Sequence, residues 1–295
     1  MNASKVGRVA AALLTLIASG SAAALTWRLG DSGYSFDAPG YCALDARGGE
    51  FDRLFLEWQQ NANRGSNDVI AVLVDCVKLS ALRSGATVEV GQYGIFLAPY
   101  QNGRLRRVEG STRADFLDEA AKLALGGMNV DSKIVEKRVN DALQSEVRDR
   151  LGRIAFEGVR ELGILHRDDH AIYAGLVIAA SAGSERHVNA GVMALTLVKG
   201  YIVQLTMYRP FVDKGTIDSL LQDQIGHMAN FVFANETPDE RATNLQRTGK
   251  SGFLGFDWDS VLAAAVRGAV IGGVVGLAFL AFRWIRNRKG PRAGA

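Results

Sequence analysis

The chain of 295 residues has a formal net charge of +3, with 48% hydrophobic and 22% charged residues. This composition excludes a disordered chain, because disordered chains are poor in apolar residues. The small net charge, with no basic face that carries interleaved aromatic residues, excludes a nucleic-acid-binding protein.

Residues 1–24 have the pattern of a secretory signal peptide. Lys5 and Arg8 form a positive start, residues 9–18 form a short apolar stretch, and small residues follow it. We expect cleavage after Ala23 or Ala24, and an uncleaved anchor is the alternative. The chain that follows is therefore predicted to fold outside the cytoplasm.

Export changes the interpretation of the two cysteines, Cys42 and Cys76. In an oxidising compartment, two cysteines of one domain usually pair. A bridge would close a loop of about 35 residues and stabilise the fold by ~3–4 kcal/mol. Two buried free thiols are the alternative. A bridge would also bring Asp45, Glu50 and Asp75 close together, and we expect these to be surface or capping carboxylates.

Residues 25–235 are predicted to form one exported domain. Its first half alternates short apolar runs of period two with segments of helical spacing. This pattern predicts strands at 25–29, 33–36, 68–75 and 88–97, and helices at 51–62, 77–83, 111–124 and 131–151.

The second half of the domain is predicted to be a strand meander followed by a long helix. Four runs of period two lie at 159–166, 171–180, 188–198 and 201–208, with a tight turn at Lys199-Gly200. Apolar residues at helical spacing follow at 216–234. Strands and helices are segregated, which favours an α+β sandwich, an antiparallel sheet covered by helices.

The segment from Tyr34 to Cys42, with its Pro39-Gly40 turn, resembles the opening strand of PsbP-like and Mog-type α/β sandwiches. The closing hairpin and long helix are similar too. More narrowly, residues 39–45, Asp75-Cys76 and Arg83 resemble a group of uncharacterised bacterial envelope proteins. The resemblance covers about half of the exported domain. It implies a binding or assembly module more than an enzyme.

One polar cluster, His166-Arg-Asp-Asp-His170, offers candidate chemistry. Two histidines four residues apart share a face only on a helix, and here they lie between two predicted strands. We therefore expect a solvated hairpin loop. The weaker alternative is a metal site of His166, Asp169 and His170 in a membrane-tethered hydrolase. No serine-hydrolase motif or phosphate-binding glycine loop occurs, and no cofactor is expected.

Residues 236–260 are predicted to link the domain to a membrane. Residues 236–252 are polar without apolar periodicity, and Phe253, Phe256 and Trp258 suit the membrane–water interface. Residues 261–282 then form an apolar run with one charge, Arg267. As a helix this run would be ~33 Å long, enough for a hydrocarbon core of ~30 Å. We predict a single transmembrane helix.

Three glycines of the predicted span, Gly268, Gly272 and Gly276, recur every four residues. Small residues at this spacing allow two membrane helices to approach closely. The row predicts association with a second copy of the chain or with a partner membrane protein. The alternative is the general frequency of glycine in membrane helices.

The tail at 283–295 has five basic residues and no acidic one, which places it in the cytoplasm by the positive-inside rule. The sequence thus predicts a single-pass protein of the inner membrane with a periplasmic domain. A non-catalytic binding or assembly function is expected. The alternatives are the hydrolase above and a module that binds lipid or the cell wall.

Overall fold

The computed structural model describes residues 24–84, 86, 90–124, 131–143, 154–182, 185–248 and 257–288. The strands are β1 Leu25–Leu29, β2 Ser32–Phe36, β3 Tyr41–Ala43, β4 Asn67–Asp75, β5 Tyr93–Pro99, β6 Ile154–Arg167, β7 Ile172–Ala182, β8 Glu185–Val198 and β9 Tyr201–Pro210. The helices are α1 Glu50–Asn63, α2 Cys76–Arg83, α3 Arg113–Ala124, α4 Ser132–Ala142, α5 Lys214–Asn235, α6 Pro238–Asn244 and α7 Trp258–Arg288. The predicted signal peptide, apart from Ala24, lies outside the described residues.

The domain is built on a seven-stranded antiparallel sheet with the order β3-β4-β5-β9-β8-β7-β6. The β1–β2 hairpin is a separate two-stranded sheet. One face of the large sheet packs against this hairpin and α5. The other face packs against α1, α3, α4 and α7. The predicted α+β sandwich is confirmed.

The predicted meander is confirmed as β6 to β9, and these strands are longer than their sequence patterns indicated. The tight turn between β8 and β9 is at Lys199-Gly200, where both residues have positive φ. The long helix that follows is α5, whose Asp213 side chain accepts a hydrogen bond from the Thr216 amide, 3.2 Å away.

Three predicted elements differ from the structure. The strand expected from residue 88 begins at Tyr93. The helix expected at 131–151 is assigned only to Ser132–Ala142, with Val147 and Leu151 outside the described residues.

Part of the expected linker at 236–252 is helix α6. That helix is stabilised by a capping box of Thr237 and Glu240 and by Pro238 in its first turn, not by an apolar face. Apolar periodicity could not reveal it.

Candidate functional site

The C-terminal helix α7 is the one helix of the described chain that is long and apolar enough to cross a membrane. In the structure its first half, up to Gly276, lies inside the domain, between the sheet and helices α1, α3 and α4. Trp258 at its start stacks on Phe116 of α3, with ring centroids 5.4 Å apart. Val270, Ile271 and Val274 are fully buried. The predicted interfacial residues Phe253 and Phe256 lie outside the described residues.

The glycine row of α7 faces the sheet. A Cβ atom on Gly268 would lie 2.7 Å from the Asn67 amide nitrogen, and one on Gly272 would lie 2.5 Å from Ile95. One on Gly276 would overlap the ring of Tyr93. The small residues thus let α7 approach strands β4 and β5 closely. Association with another membrane helix through this row stays a prediction, and it requires α7 to leave the sheet.

Polar side chains on the sheet and α1 reach the main chain of α7. Asn67 donates to the Ala264 carbonyl at 3.0 Å, and Tyr93 donates to the Gly273 carbonyl at 3.2 Å. The Tyr208 hydroxyl donates to the carbonyl of Ala269, and Gln59 approaches that of Gly272 at 3.5 Å. These four side chains are almost fully buried. Buried polar groups without partners are costly, so α7 supplies acceptors that this face of the sheet needs.

One electrostatic contact opposes this packing. Burial and the nearby positive charge of Arg267 lower the pKa of Arg138 on α4. Arg138 itself reaches the Arg64 carbonyl and the Ser66 hydroxyl at 3.4 Å. Because Arg267 belongs to α7, its repulsion of Arg138 raises the free energy of the docked helix.

The segment between α5 and α7 is fastened to the domain. Arg113 and Glu236 form an ion pair at 2.7 Å in which both side chains are 1% exposed. Arg113 also donates to the Asp169 carbonyl at 2.8 Å. The Thr248 hydroxyl donates to Asp115 at 2.7 Å, and this bond helps to keep the pKa of that carboxyl low although burial would raise it. The path that leads to α7 is thus fixed as far as residue 248.

The predicted disulfide between Cys42 and Cys76 is present, with Cα atoms 4.9 Å apart. It joins the middle of β3 to the first residue of α2. Asp75 caps α2 by accepting from the Lys78 amide at 2.9 Å, and Asp45 accepts from the Arg47 amide at 2.9 Å. Both carboxylates have the capping and surface roles expected for them.

The fully buried acid of this region is Asp52, a residue that sequence reasoning missed. Its carboxylate accepts from Arg83 at 2.5 and 3.2 Å and from the Asp45 amide at 2.9 Å. Gly48 is required here, since a Cβ atom on it would lie 2.5 Å from the Asp52 carboxylate. No local motif joins Asp52 to a residue as distant as Arg83. Arg83 lines a groove of about 820 Å³ that is also lined by Cys42 of the disulfide.

His170 lies in the turn between β6 and β7, as expected for a loop, whereas His166 is the penultimate residue of β6 and pairs with Tyr173. The carboxylate between them is Asp168 and not Asp169: it lies 4.0 Å from His166 and 3.7 Å from His170. Asp168 accepts from the His170 and Ala171 amides at 2.7 and 2.9 Å. Although burial would raise it, the hydrogen bond from the His170 side chain, together with these amide bonds, holds the pKa of Asp168 at about 2. The described residues contain no group of three or more ligands able to hold a metal ion.

The fold and these sites define a disulfide-bonded α+β sandwich with an apolar C-terminal helix. No protein-family model and no curated protein matches the chain. Among solved structures it is similar to the solution structure of cyanobacterial PsbP (CyanoP) from Synechocystis sp. PCC 6803, with 15% identity and a TM-score of 0.32. The match covers 71% of this chain and 94% of that chain. The PsbP-like resemblance of the sequence is consistent with this neighbour, from which we draw no functional argument.

Proposed function

We propose that this protein is a non-catalytic binding or assembly module of the bacterial envelope, attached to the inner membrane by α7. The observation that carries the proposal is α7 itself, a helix of the length and composition of a membrane span. The basic tail that follows it, at 283–295, supports a cytoplasmic C-terminus. The disulfide supports an oxidising, periplasmic location for the domain.

Attachment through residues 261–282 requires α7 to exchange its place in the domain for the bilayer. The apolar side chains of α7 are removed from water in both places, but the apolar residues that it covers, among them Ile95, Leu97 and Ile178, are exposed when it leaves, which opposes release. When α7 enters the bilayer, Asn67, Tyr93 and Tyr208 lose the carbonyl groups that they contact. Arg267 leaves Arg138 but is carried into the span, where a charge is costly unless its side chain reaches the interface. Release of α7 from the domain therefore costs free energy, which insertion into the membrane has to offset.

A disulfide that locks α7 in the domain tests this attachment. A Cβ atom at position 268 would lie 3.1 Å from Cγ of Asn67, an atom that the sulfur of a cysteine would replace, so cysteines at both positions are close enough to form a bridge. The full chain with Asn67→Cys and Gly268→Cys is mixed with phospholipid vesicles and floated on a density gradient. We expect flotation after reduction and little flotation of the oxidised, locked form.

The two single-cysteine variants and the original chain, each with and without reductant, control for reduction of the Cys42–Cys76 bridge. Equal flotation of the locked and reduced forms would show that α7 does not leave the domain to attach. An absence of flotation in every form would refute membrane attachment itself.

A further inference from the structure

The short strand β3 forms one edge of the seven-stranded sheet and borders the groove beside the disulfide. The opposite side of the groove is the open end of the β1–β2 hairpin, at residues 24–26 and 36–38. Residues 44–48 and Arg83 also line it. A strand edge that lies in a groove is a place where an extended chain can bind by main-chain hydrogen bonds.

The register of β3 on β4 shows which main-chain groups point into the groove. The Leu44 amide donates to Val72, and the Cys76 amide donates to Gly40, each at 2.9 Å. In an antiparallel pair such bonded positions alternate with positions whose groups point outward. Ala43 is one of the outward positions. Its amide and carbonyl therefore face the groove, and the described residues give them no partner.

Tyr41 is the other outward position of β3. Its amide is already used, because it donates to the Ala38 carbonyl at 2.9 Å. Its carbonyl faces the groove together with the two groups of Ala43. The edge thus presents one donor and two acceptors in the spacing of a strand.

The two edge strands of the sheet, β3 and β6, differ in how regular their pairing is and in what covers them. At the other edge, β6 is interrupted by three register shifts in its pairing with β7 and is packed against α3 and α4. Bulges and covering helices are the usual means of blocking an edge strand. The pairing of β3 with β4 is regular. Among the residues that the structure describes, the edge at β3 is therefore the open one.

The disulfide gives this edge a fixed shape. β3 has only three residues, and a strand this short at an edge would fray. Cys42, its middle residue, is bonded covalently to Cys76 at the start of α2. A binding edge that is already ordered loses less conformational entropy when a ligand arrives.

We propose that this groove binds an extended segment of a partner protein, which pairs with Ala43 and adds a strand to the sheet. The inference rests on the proposed binding function and names the class of its ligand. The ligand residue opposite Ala43 places its side chain on the same face as Ala43, where Leu25, Phe36 and Tyr41 are apolar neighbours. An apolar residue fits there. The ligand residues on either side of it place their side chains on the opposite face of the sheet.

A proline at position 43 tests the pairing directly. Ala43→Pro removes the outward amide but no bond to β4, since proline is tolerated where a strand's amide points away from the sheet. Ala43→Val keeps the amide and is the matched control. A random peptide library displayed on phage is selected on the full chain, and one enriched peptide is measured against all three proteins.

We expect the selected peptide to bind the original chain and Ala43→Val alike, and Ala43→Pro roughly tenfold more weakly, which corresponds to ~1.4 kcal/mol. Hydrogen exchange of the Ala43 amide in the original chain should slow when the peptide binds, a readout that does not need the proline variant to fold. No enriched peptide, equal binding to Ala43→Pro, or unchanged exchange would overturn the proposal. Vesicle flotation of Ala43→Pro reports on membrane attachment separately.

Discussion

Arg113 and Glu236 show how single side chains fix the path between the sandwich and its C-terminal helix. Both are 1% exposed, and their ion pair joins α3 to the end of α5. Asn244 of α6 donates to the same carboxylate at 2.8 Å. A buried charge is tolerated only while its partner is in place. The pair is therefore better regarded as a device that specifies the path of the chain than as a large source of stability.

This interpretation predicts the behaviour of two substitutions. Arg113→Met should lower the free energy of unfolding by about 3–5 kcal/mol, because it leaves the Glu236 carboxylate buried without its cation. The double variant with Glu236→Leu should lose less than the single variant. Urea denaturation monitored by tryptophan fluorescence measures both. Additive losses in the double variant would show that the two groups are not coupled.

At the scale of elements, the close approach of α7 to the sheet depends on its glycines. Gly272→Leu would force a side chain against Ile95 and Tyr208. We expect it to lower the free energy of unfolding of the detergent-free protein by about 1–3 kcal/mol, the usual cost of overpacking a core. The control is Gly226→Leu on α5, where no other atom lies within 4 Å of an added Cβ. Equal thermal unfolding of the two variants would show that α7 is not packed on the sheet in solution.

The sequence predicted most of the elements because their patterns have a local cause. The strands of the meander alternate apolar and polar residues, and the turn at Lys199-Gly200 has the chemistry of a hairpin. β3 was missed because three residues are too few to show a period. The disulfide was inferred from the expected compartment, and its bridge is what positions that strand.

The packing of α7 could not be predicted, for a physical reason. A helix buried on all sides in a domain and a helix in a bilayer both need apolar residues throughout. Rows of small residues likewise permit close approach to a sheet or to another helix. The pairs Asp52–Arg83 and Arg113–Glu236 join residues far apart in the chain, and no local pattern connects them.

At the scale of the whole molecule, both faces of the sheet are covered, and the groove at β3 lies at one of its edges. The sandwich is closed on one face by α5 and the hairpin, and on the other by helices that include α7. The groove at β3 lies at an edge of the sheet, away from the face that holds α7. Under the proposed function, the two sites serve different partners: α7 leaves the sheet to attach the protein to a membrane, and the groove receives an extended chain.

The central claim is that the domain and the tail lie on opposite sides of a membrane. Site-specific labelling in intact cells tests it with Leu245→Cys, at an exposed position of the domain, and Gly294→Cys in the tail. The native cysteines are bridged and leave no thiol to react.

After the outer membrane is permeabilised, an impermeant maleimide is added before or after lysis of the inner membrane. We expect the domain cysteine to react before lysis and the tail cysteine only after it. Reaction of both before lysis, or of neither, would contradict a periplasmic domain held by a span with a cytoplasmic tail.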